Sequence, residues 1–241
     1  MQIEQAVAFV SGANRGVGAQ FVAALLERGA RKVYAAARRL ASVETIANGD
    51  PRVVPVALDI TDSASVASAA ARAGDITLLI NNAGLNCCER ALQPRDDTAA
   101  RAEMEVNYFG TLAMCRAFAP ALVRNGGAVV NMLSILARVS LPSMGSLCAS
   151  KAAALRMTEA LRAELAAHEV RVLGVLPSAI ATDMARNFPP PKLSPAEVVQ
   201  AVLAALADGT DEVYVGREAQ AISDALAIDR RAVQARMAGY L

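Results

Sequence analysis

Along the 241-residue chain, apolar and polar positions follow two alternating rhythms. Short runs rich in β-branched residues near 6–11, 31–37, 53–58, 75–81, 127–133, 170–176 and 212–216 read as buried strands. Between them, Ala- and Leu-rich stretches of helical spacing fall near 16–29, 41–47, 62–73, 98–124, 145–167 and 194–208, with one more near 218–236. Strand and helix in alternation predict repeated βα units: an α/β fold with a doubly wound, seven-stranded, mainly parallel sheet and helices on both faces. A single domain over 1–241 is expected, because no Gly/Ser-rich or Pro-rich linker divides the chain. The Pro189-Pro190-Pro191 run reads as a loop inside that domain, either part of a substrate lid near 183–193 or a plain surface loop.

The first strand runs directly into Ser11-Gly12-Ala13-Asn14-Arg15-Gly16-Val17-Gly18, and an Ala/Leu-rich helix follows. In that setting a glycine-rich turn has a phosphate-binding use, and the domain is expected to be of the Rossmann type. Gly12 permits the tight turn, Gly16 lets the backbone approach a pyrophosphate, and Gly18 lets helix and strand pack closely. The second strand ends in Ala36-Ala37-Arg38-Arg39, where an acidic residue would hold a ribose 2′-hydroxyl. Arg38 there, with Arg15 in the turn, suits a 2′-phosphate, so NADPH/NADP+ is expected in preference to NAD. Asp59, ending Val56-Ala57-Leu58-Asp59-Ile60, is positioned to accept from the adenine amino group or to cap a turn.

Composition narrows the chemistry. Basic residues number 24 against 23 acidic, so no global field draws nucleic acid or anionic lipid. The single histidine, His168, follows a helix end and suits a partner for the helix dipole; it disfavours a histidine triad or a multi-histidine zinc site, and no metal is expected. Four cysteines, Cys87, Cys88, Cys115 and Cys148, lack CxxC spacing and read as reduced thiols in a cytoplasmic protein. Cys115 and Cys148 suit a helix core. Apolar stretches are broken by charge before reaching a membrane-spanning length.

The ordered set of motifs resembles the short-chain dehydrogenase/reductase family over almost the whole chain. Carrying the resemblance are the glycine turn at 12–18, Asn81-Asn82-Ala83-Gly84 after the fourth strand, and Asn107 in the long helix beyond. Ser134 after the fifth strand, Lys151 in Ala149-Ser150-Lys151, and Pro177-Ser178-Ala179-Ile180-Ala181-Thr182 complete it. The resemblance implies an NADPH-dependent oxidoreductase in which Ser134 polarises the acceptor, Lys151 anchors the ribose and Asn107 supports a water relay. Cofactor contacts are implied for Gly12, Asn14, Arg15, Gly16, Val17, Gly18, Arg38, Asp59, Ile60, Asn82, Ala83, Gly84, Lys151, Pro177, Ile180 and Thr182.

One position departs. The family's motif is Tyr-x-x-x-Lys, and the residue four before Lys151 is Leu147, thirteen after Ser134, which is the usual Ser-to-Tyr interval. Tyr34, Tyr108, Tyr214 and Tyr240 lie on other elements. Losing a general acid costs about 10²–10⁴ in rate, so ordinary ketone reduction should be poor. Three explanations stand. The acceptor is an imine or iminium, which needs no proton on an alkoxide; or it is an activated alkene; or the chain is a carbonyl reductase scaffold disabled by an engineered substitution or by natural loss of catalysis, binding NADP(H) only. Ser178 replaces the family's usual glycine, and Leu133 precedes Ser134 where a small polar residue is common. A small hydrophobic substrate is expected in a pocket of Cys88, Leu136, Leu147, Ser178, Met184 and Phe188. By the same resemblance, the helices near 98–124 and 150–167, apolar on more than one face through Leu112, Met114, Phe118, Leu155, Leu161 and Leu165, imply a homodimer or homotetramer.

Overall fold

The structure is a computed structural model and describes residues 1–92 and 96–240. Seven strands form one parallel sheet: β1 Val7–Ser11, β2 Lys32–Ala37, β3 Val53–Ala57, β4 Leu78–Asn81, β5 Ala128–Met132, β6 Arg171–Pro177 and β7 Glu212–Val215. Their spatial order is β3-β2-β1-β4-β5-β6-β7, and every pairing is parallel. The direction of winding therefore reverses between β1 and β4, and a crevice opens at the carboxyl ends of those two strands, where such sheets take ligands. β1 is buried along its whole length, as a strand covered by helices on both faces must be.

The helices are α1 Gly16–Glu27, α2 Leu40–Ala47, α3 Ser63–Arg72, α4 Thr98–Met104, α5 Thr111–Asn125, α6 Gly145–Ala166, α7 Pro195–Asp208, α8 Arg217–Ile228 and α9 Arg230–Ala238. Alternate strand residues feed two cores. Ala8, Val10 and Ile80 face Phe21, Leu25, Val199 and Val202 on one side. Val7, Phe9 and Leu79 face Met114, Phe118 and Leu122 on the other. Phe9 and Phe118 pack with ring centroids 4.7 Å apart.

Two helices differ from the pattern-based expectation. The single helix expected near 218–236 is two, because Asp229 is extended (φ −149°) and its carboxylate accepts the N–H of Ala232, starting α9 afresh. The helix expected over 98–124 holds a π-helical turn at Glu105–Gly110 between α4 and α5. That turn centres on Asn107. Gly110 permits it, since a Cβ there would lie 2.8 Å from Cγ1 of Ile60. Met114, Phe118, Leu155 and Leu165, among the residues that make these helices apolar on more than one face, are buried within the chain itself; the exposed large apolar residues of this region are Phe109 and Val123.

Candidate active site

The glycine turn has the geometry its sequence requires. Gly12 and Gly16 adopt φ of +64° and +53°, and a Cβ on Gly18 would lie 2.1 Å from the Gly12 carbonyl oxygen. Only glycine tolerates such approach. α1 then begins with no side-chain cap and no acidic residue in its first turn, so its first N–H groups and its dipole are available to an anion. Val17 is buried in the core and Asn14 is half-buried at the turn. The turn is fastened from the next strand: Ser11 Oγ accepts the N–H groups of Asn82 (3.0 Å) and Ala83 (3.1 Å), and Asn82 Nδ2 donates to the carbonyls of Ser11 and Gly12 at 3.0 and 3.1 Å. Ser11 is a fastening that sequence reading missed, although its place before Gly12 was the available signal.

At the outer end, Arg38 is exposed just past β2, and Asp59 sits across from it. The Thr61 N–H, the Thr61 hydroxyl and, more weakly, the Arg38 charge hold Asp59 below the usual carboxylate range. Oδ1 of Asp59 takes both Thr61 bonds, at 3.0 and 2.7 Å, so here it fills the turn role, and Ile60 is buried under Gly110. Arg15, expected at a 2′-phosphate, donates instead to Asp183 Oδ2 at 2.9 Å. Both side chains are solvent-exposed, so the pair is readily exchanged for a ligand oxygen.

At the inner end, Ser134, Asn107, Leu147 and Lys151 come from three segments, the last two from α6. Ser134 follows β5 in extended backbone, and its Oγ accepts the Leu136 N–H at 3.1 Å. Asn107 is buried: Oδ1 accepts the Leu85 N–H (2.9 Å), while Nδ2 donates to Leu85 O (2.8 Å) and Ser150 Oγ (3.0 Å). Lys151 Nζ donates to Met132 O at 2.8 Å and lies near Gly84, whose Cβ would be 3.7 Å away. Burial lowers its pKa to about 8. Leu147, one turn before Lys151 on α6, is buried and offers no polar atom. Beneath, Asn81 Nδ2 donates to Asn131 Oδ1 and Asn131 Nδ2 to Thr158 Oγ1, both at 2.9 Å. This buried chain ties β4 and β5 to α6; sequence reading left it unassigned. Burial pushes the nearby Cys115 thiol up to about 12.

The segment after β6 reaches back to the glycine turn. Pro177 ends the strand, and Ile180 bridges to Leu193, pinning the neck of a loop that holds a 3₁₀ turn at Asp183–Ala185. Thr182 approaches the glycine turn, its Cγ2 lying 3.1 Å from where a Cβ on Gly16 would stand. Met184 is exposed and Phe188 half-buried on this loop, while Cys88 is exposed with φ +56° on the loop after β4. Leu136 is half-buried beside Ser134. Ser178, expected to line the pocket, turns toward Gly216, whose Cβ would meet its Oγ at 2.8 Å; its N–H continues the β6–β7 pairing to Val215 O. Among the described residues, no helix is long and apolar enough to cross a membrane.

A family model for short chain dehydrogenase matches residues 6–192. D-erythrulose reductase from Gallus gallus is 31% identical over 209 residues, covering 86% of this chain and 84% of that protein. Galactitol 2-dehydrogenase (L-tagatose-forming) from Cereibacter sphaeroides is 36% identical over 193 residues, covering 76% and 74%. A short chain dehydrogenase from Burkholderia cenocepacia, crystallised in complex with NADP, is 63% identical and superposes with a TM-score of 0.95 over 98% of this chain and 99% of its own. With the sheet order, the glycine turn and these matches together, the chain belongs to the short-chain dehydrogenase/reductase family of oxidoreductases.

Proposed function

We propose that the protein is an NADPH-dependent reductase whose acceptor is a C=N bond, as imine or iminium, in a small hydrophobic molecule. The observation that carries this is Leu147: buried and apolar, it holds the place of the family's tyrosine, while Ser134, Asn107 and Lys151 keep theirs. The cofactor fits the residues present. The glycine turn is packed so closely that no side chain fits, α1 offers its uncapped N-terminus, and the exposed Arg15 and Arg38 supply positive charge suited to a 2′-phosphate. The 63% identical relative in complex with NADP supports the same preference.

When bound, NADPH supplies the hydride. The chain's own part is to bind and orient. Gly12, Gly16, Gly18, Asn14, Val17 and Arg15 hold the pyrophosphate and 2′-phosphate end, with Arg38, Asp59 and Ile60 around the adenosine. Asn82, Ala83 and Gly84 form the floor, and Pro177, Ile180 and Thr182 close over the nicotinamide end. Lys151 binds the ribose, and Ser134 Oγ donates to the nitrogen of a neutral imine or accepts the N–H of a protonated one. A ketone would leave an alkoxide that needs a proton, and Leu147 has none to give. An iminium already carries the charge that attracts hydride and leaves a neutral amine. Leu147, Leu136, Cys88, Met184 and Phe188 exclude water around it, with 183–193 acting as a lid on one domain spanning 1–241. Exposed Phe109 and Val123 suit a homodimer or homotetramer.

Following NADPH consumption with matched cyclic imines, ketones and enones tests the reading. Imine turnover exceeding ketone turnover is expected, and ketone turnover exceeding imine turnover overturns it.

A further inference from the structure

Ser150 precedes Lys151 on α6 and is fully buried, and its hydroxyl is engaged on both sides. Oγ donates to the carbonyl of Leu147 at 2.9 Å and accepts from Nδ2 of Asn107 at 3.0 Å. In an α-helix the carbonyl of Leu147 also takes the N–H of Lys151, so the Ser150 hydroxyl sits on the peptide group that links those two positions. A hydroxyl bonded back into its own helix bends it, and here the bend is fixed because the same oxygen must keep a lone pair toward Asn107. Asn107 in turn clasps Leu85, its Oδ1 on the N–H at 2.9 Å and its Nδ2 on the carbonyl at 2.8 Å. A buried chain of hydrogen bonds therefore runs from the backbone at position 147, through Ser150 and Asn107, to the residue that follows the Asn82-Ala83-Gly84 floor.

Lys151 depends on that chain for its place. Its Nζ donates to Met132 O at 2.8 Å, and among the described residues no ion pair includes it, so the backbone that carries it has to keep it there. Asn107 Oδ1 and Lys151 Nζ both border Gly84, lying 3.4 and 3.7 Å from where its Cβ would stand. α6 holds a second buried hydroxyl with the same pair of bonds: Thr158 donates to Ala154 O at 2.7 Å and accepts from Asn131 Nδ2 at 2.9 Å. Asn131, however, lies on β5, which is paired with β4 on one side and β6 on the other, so the sheet holds its backbone, Met132 included, without help from Thr158. Asn107 lies in the π-helical turn, where α-helical hydrogen bonding shifts register. The two hydroxyls are alike in chemistry and differ in what they join.

We infer that Ser150 is a positioning residue of the active site, setting the turn of α6 that carries position 147 and Lys151 against Asn107 and the cofactor floor. Fully buried, it acts through those residues and not on the acceptor. The inference concerns the site whichever acceptor it takes, and so stands apart from the C=N reading.

The test compares two hydroxyl deletions in the full-length protein. Ser150→Ala and Thr158→Val each leave a buried asparagine N–H without its partner, and both should lower the melting temperature by about 2–10 °C. With the best acceptor from a panel of imines, ketones and enones, Ser150→Ala should lose about 10–100-fold in kcat while the KM for NADPH stays within about 3-fold, because small misplacements of site groups are costly. Thr158→Val should keep kcat within about 3-fold. Equal kcat losses in the two variants, or none in Ser150→Ala, overturn the positioning role. Should Ser150→Ala fail to fold, Ser150→Cys, a weaker donor and acceptor, reads the same split: a lowered kcat with the KM for NADPH kept supports the role, and an unchanged kcat overturns it. A second readout needs no turnover. Stability of the cofactor-free wild type rises from pH 8 to 10 as Lys151, its pKa lowered by burial to about 8, loses its proton. Urea denaturation should show a smaller rise in Ser150→Ala, whose Lys151 is less confined, and an unchanged rise in Thr158→Val. A Ser150→Ala profile parallel to that of wild type overturns the inference even if no acceptor is reduced.

Discussion

Arg15 and Asp183 join the glycine turn to the loop after β6 through a 2.9 Å ion pair, and Asp183 is shared with Arg186 at 2.6 Å. The Arg186 contact, then the charges of Arg186 and Arg15, hold Asp183 below the usual carboxylate range. The pair links the glycine turn to the loop after β6, so the Asp183 carboxylate and, in the proposed complex, a 2′-phosphate compete for Arg15. Arg15→Ala should leave the melting temperature unchanged, since exposed pairs add little stability. It should weaken NADPH about 10-fold and leave NADH alone. Fluorescence titration with both nucleotides checks this; equal losses for the two would remove Arg15 from 2′-phosphate recognition.

Leu147→Tyr should restore the proton donor to a site that already holds Ser134, Asn107 and Lys151. Ketone reduction should rise by about 10²–10⁴, the range a general acid contributes. Imine reduction should fall as the pocket narrows and gains a polar group. The ratio of kcat/KM for a matched ketone and imine is the measurement, and a variant with no gain on any ketone would mean that Leu147 is not what limits the site.

Lys151 should imprint a pH dependence on the stability of the cofactor-free protein. Its folded pKa, about 8, lies below the 10.5 of an ordinary lysine, so between those values the unfolded chain binds more protons than the folded one. Stability from this group therefore rises as pH climbs from about 8 toward 10.5, and below 8 the full burial penalty remains, on the order of 3 kcal/mol. Lys151→Met should be the more stable protein at pH 7, with the difference shrinking by pH 10. Urea denaturation of both proteins across that range reads it directly; parallel pH profiles would be incompatible with the lowered pKa.

Gly18→Ala should be severely damaging, because its Cβ would meet the backbone oxygen of Gly12 at 2.1 Å and backbone cannot yield as a side-chain tip does. A loss of about 1–3 kcal/mol or more is expected from such overpacking, together with loss of nucleotide binding. Gly49, whose Cβ would meet nothing within 4 Å, is the control for position rather than residue type. Its own φ of +77° makes a modest cost expected there, with nucleotide binding intact. A Gly18→Ala protein that binds NADPH normally would contradict the packing geometry.

Much of the molecule was legible from local pattern. Strand bounds read from β-branched runs differ from the observed ones by three residues at most, as at β4, because buried parallel strands carry few other kinds of residue. The glycine turn was legible for the same kind of reason: positive φ and a 2.1 Å approach leave glycine no substitute. The break at Asp229 was less visible, since Asp within a polar helical pattern reads equally as surface or as cap. That Ser178 Oγ lies close to Gly216 was not legible, because it depends on the pairing of β6 with β7, which is a tertiary matter.

What the sequence by itself determined is the α/β alternation, the nucleotide turn and the motif positions at 107, 134, 147 and 151. The first two follow from periodicity and from local backbone limits, while the motif positions follow from the resemblance to the short-chain family. Only the tertiary structure decided that Arg15 meets Asp183, 168 residues away, and that Asn81, Asn131 and Thr158 form one buried chain beneath the site. It alone decided that Glu103, a charged residue in an ordinary helical stretch, is sealed from water with an oxygen unpaired. Burial and partnership are properties of elements packed against one another, and the free energy of a buried charge depends on neighbours that no local pattern names.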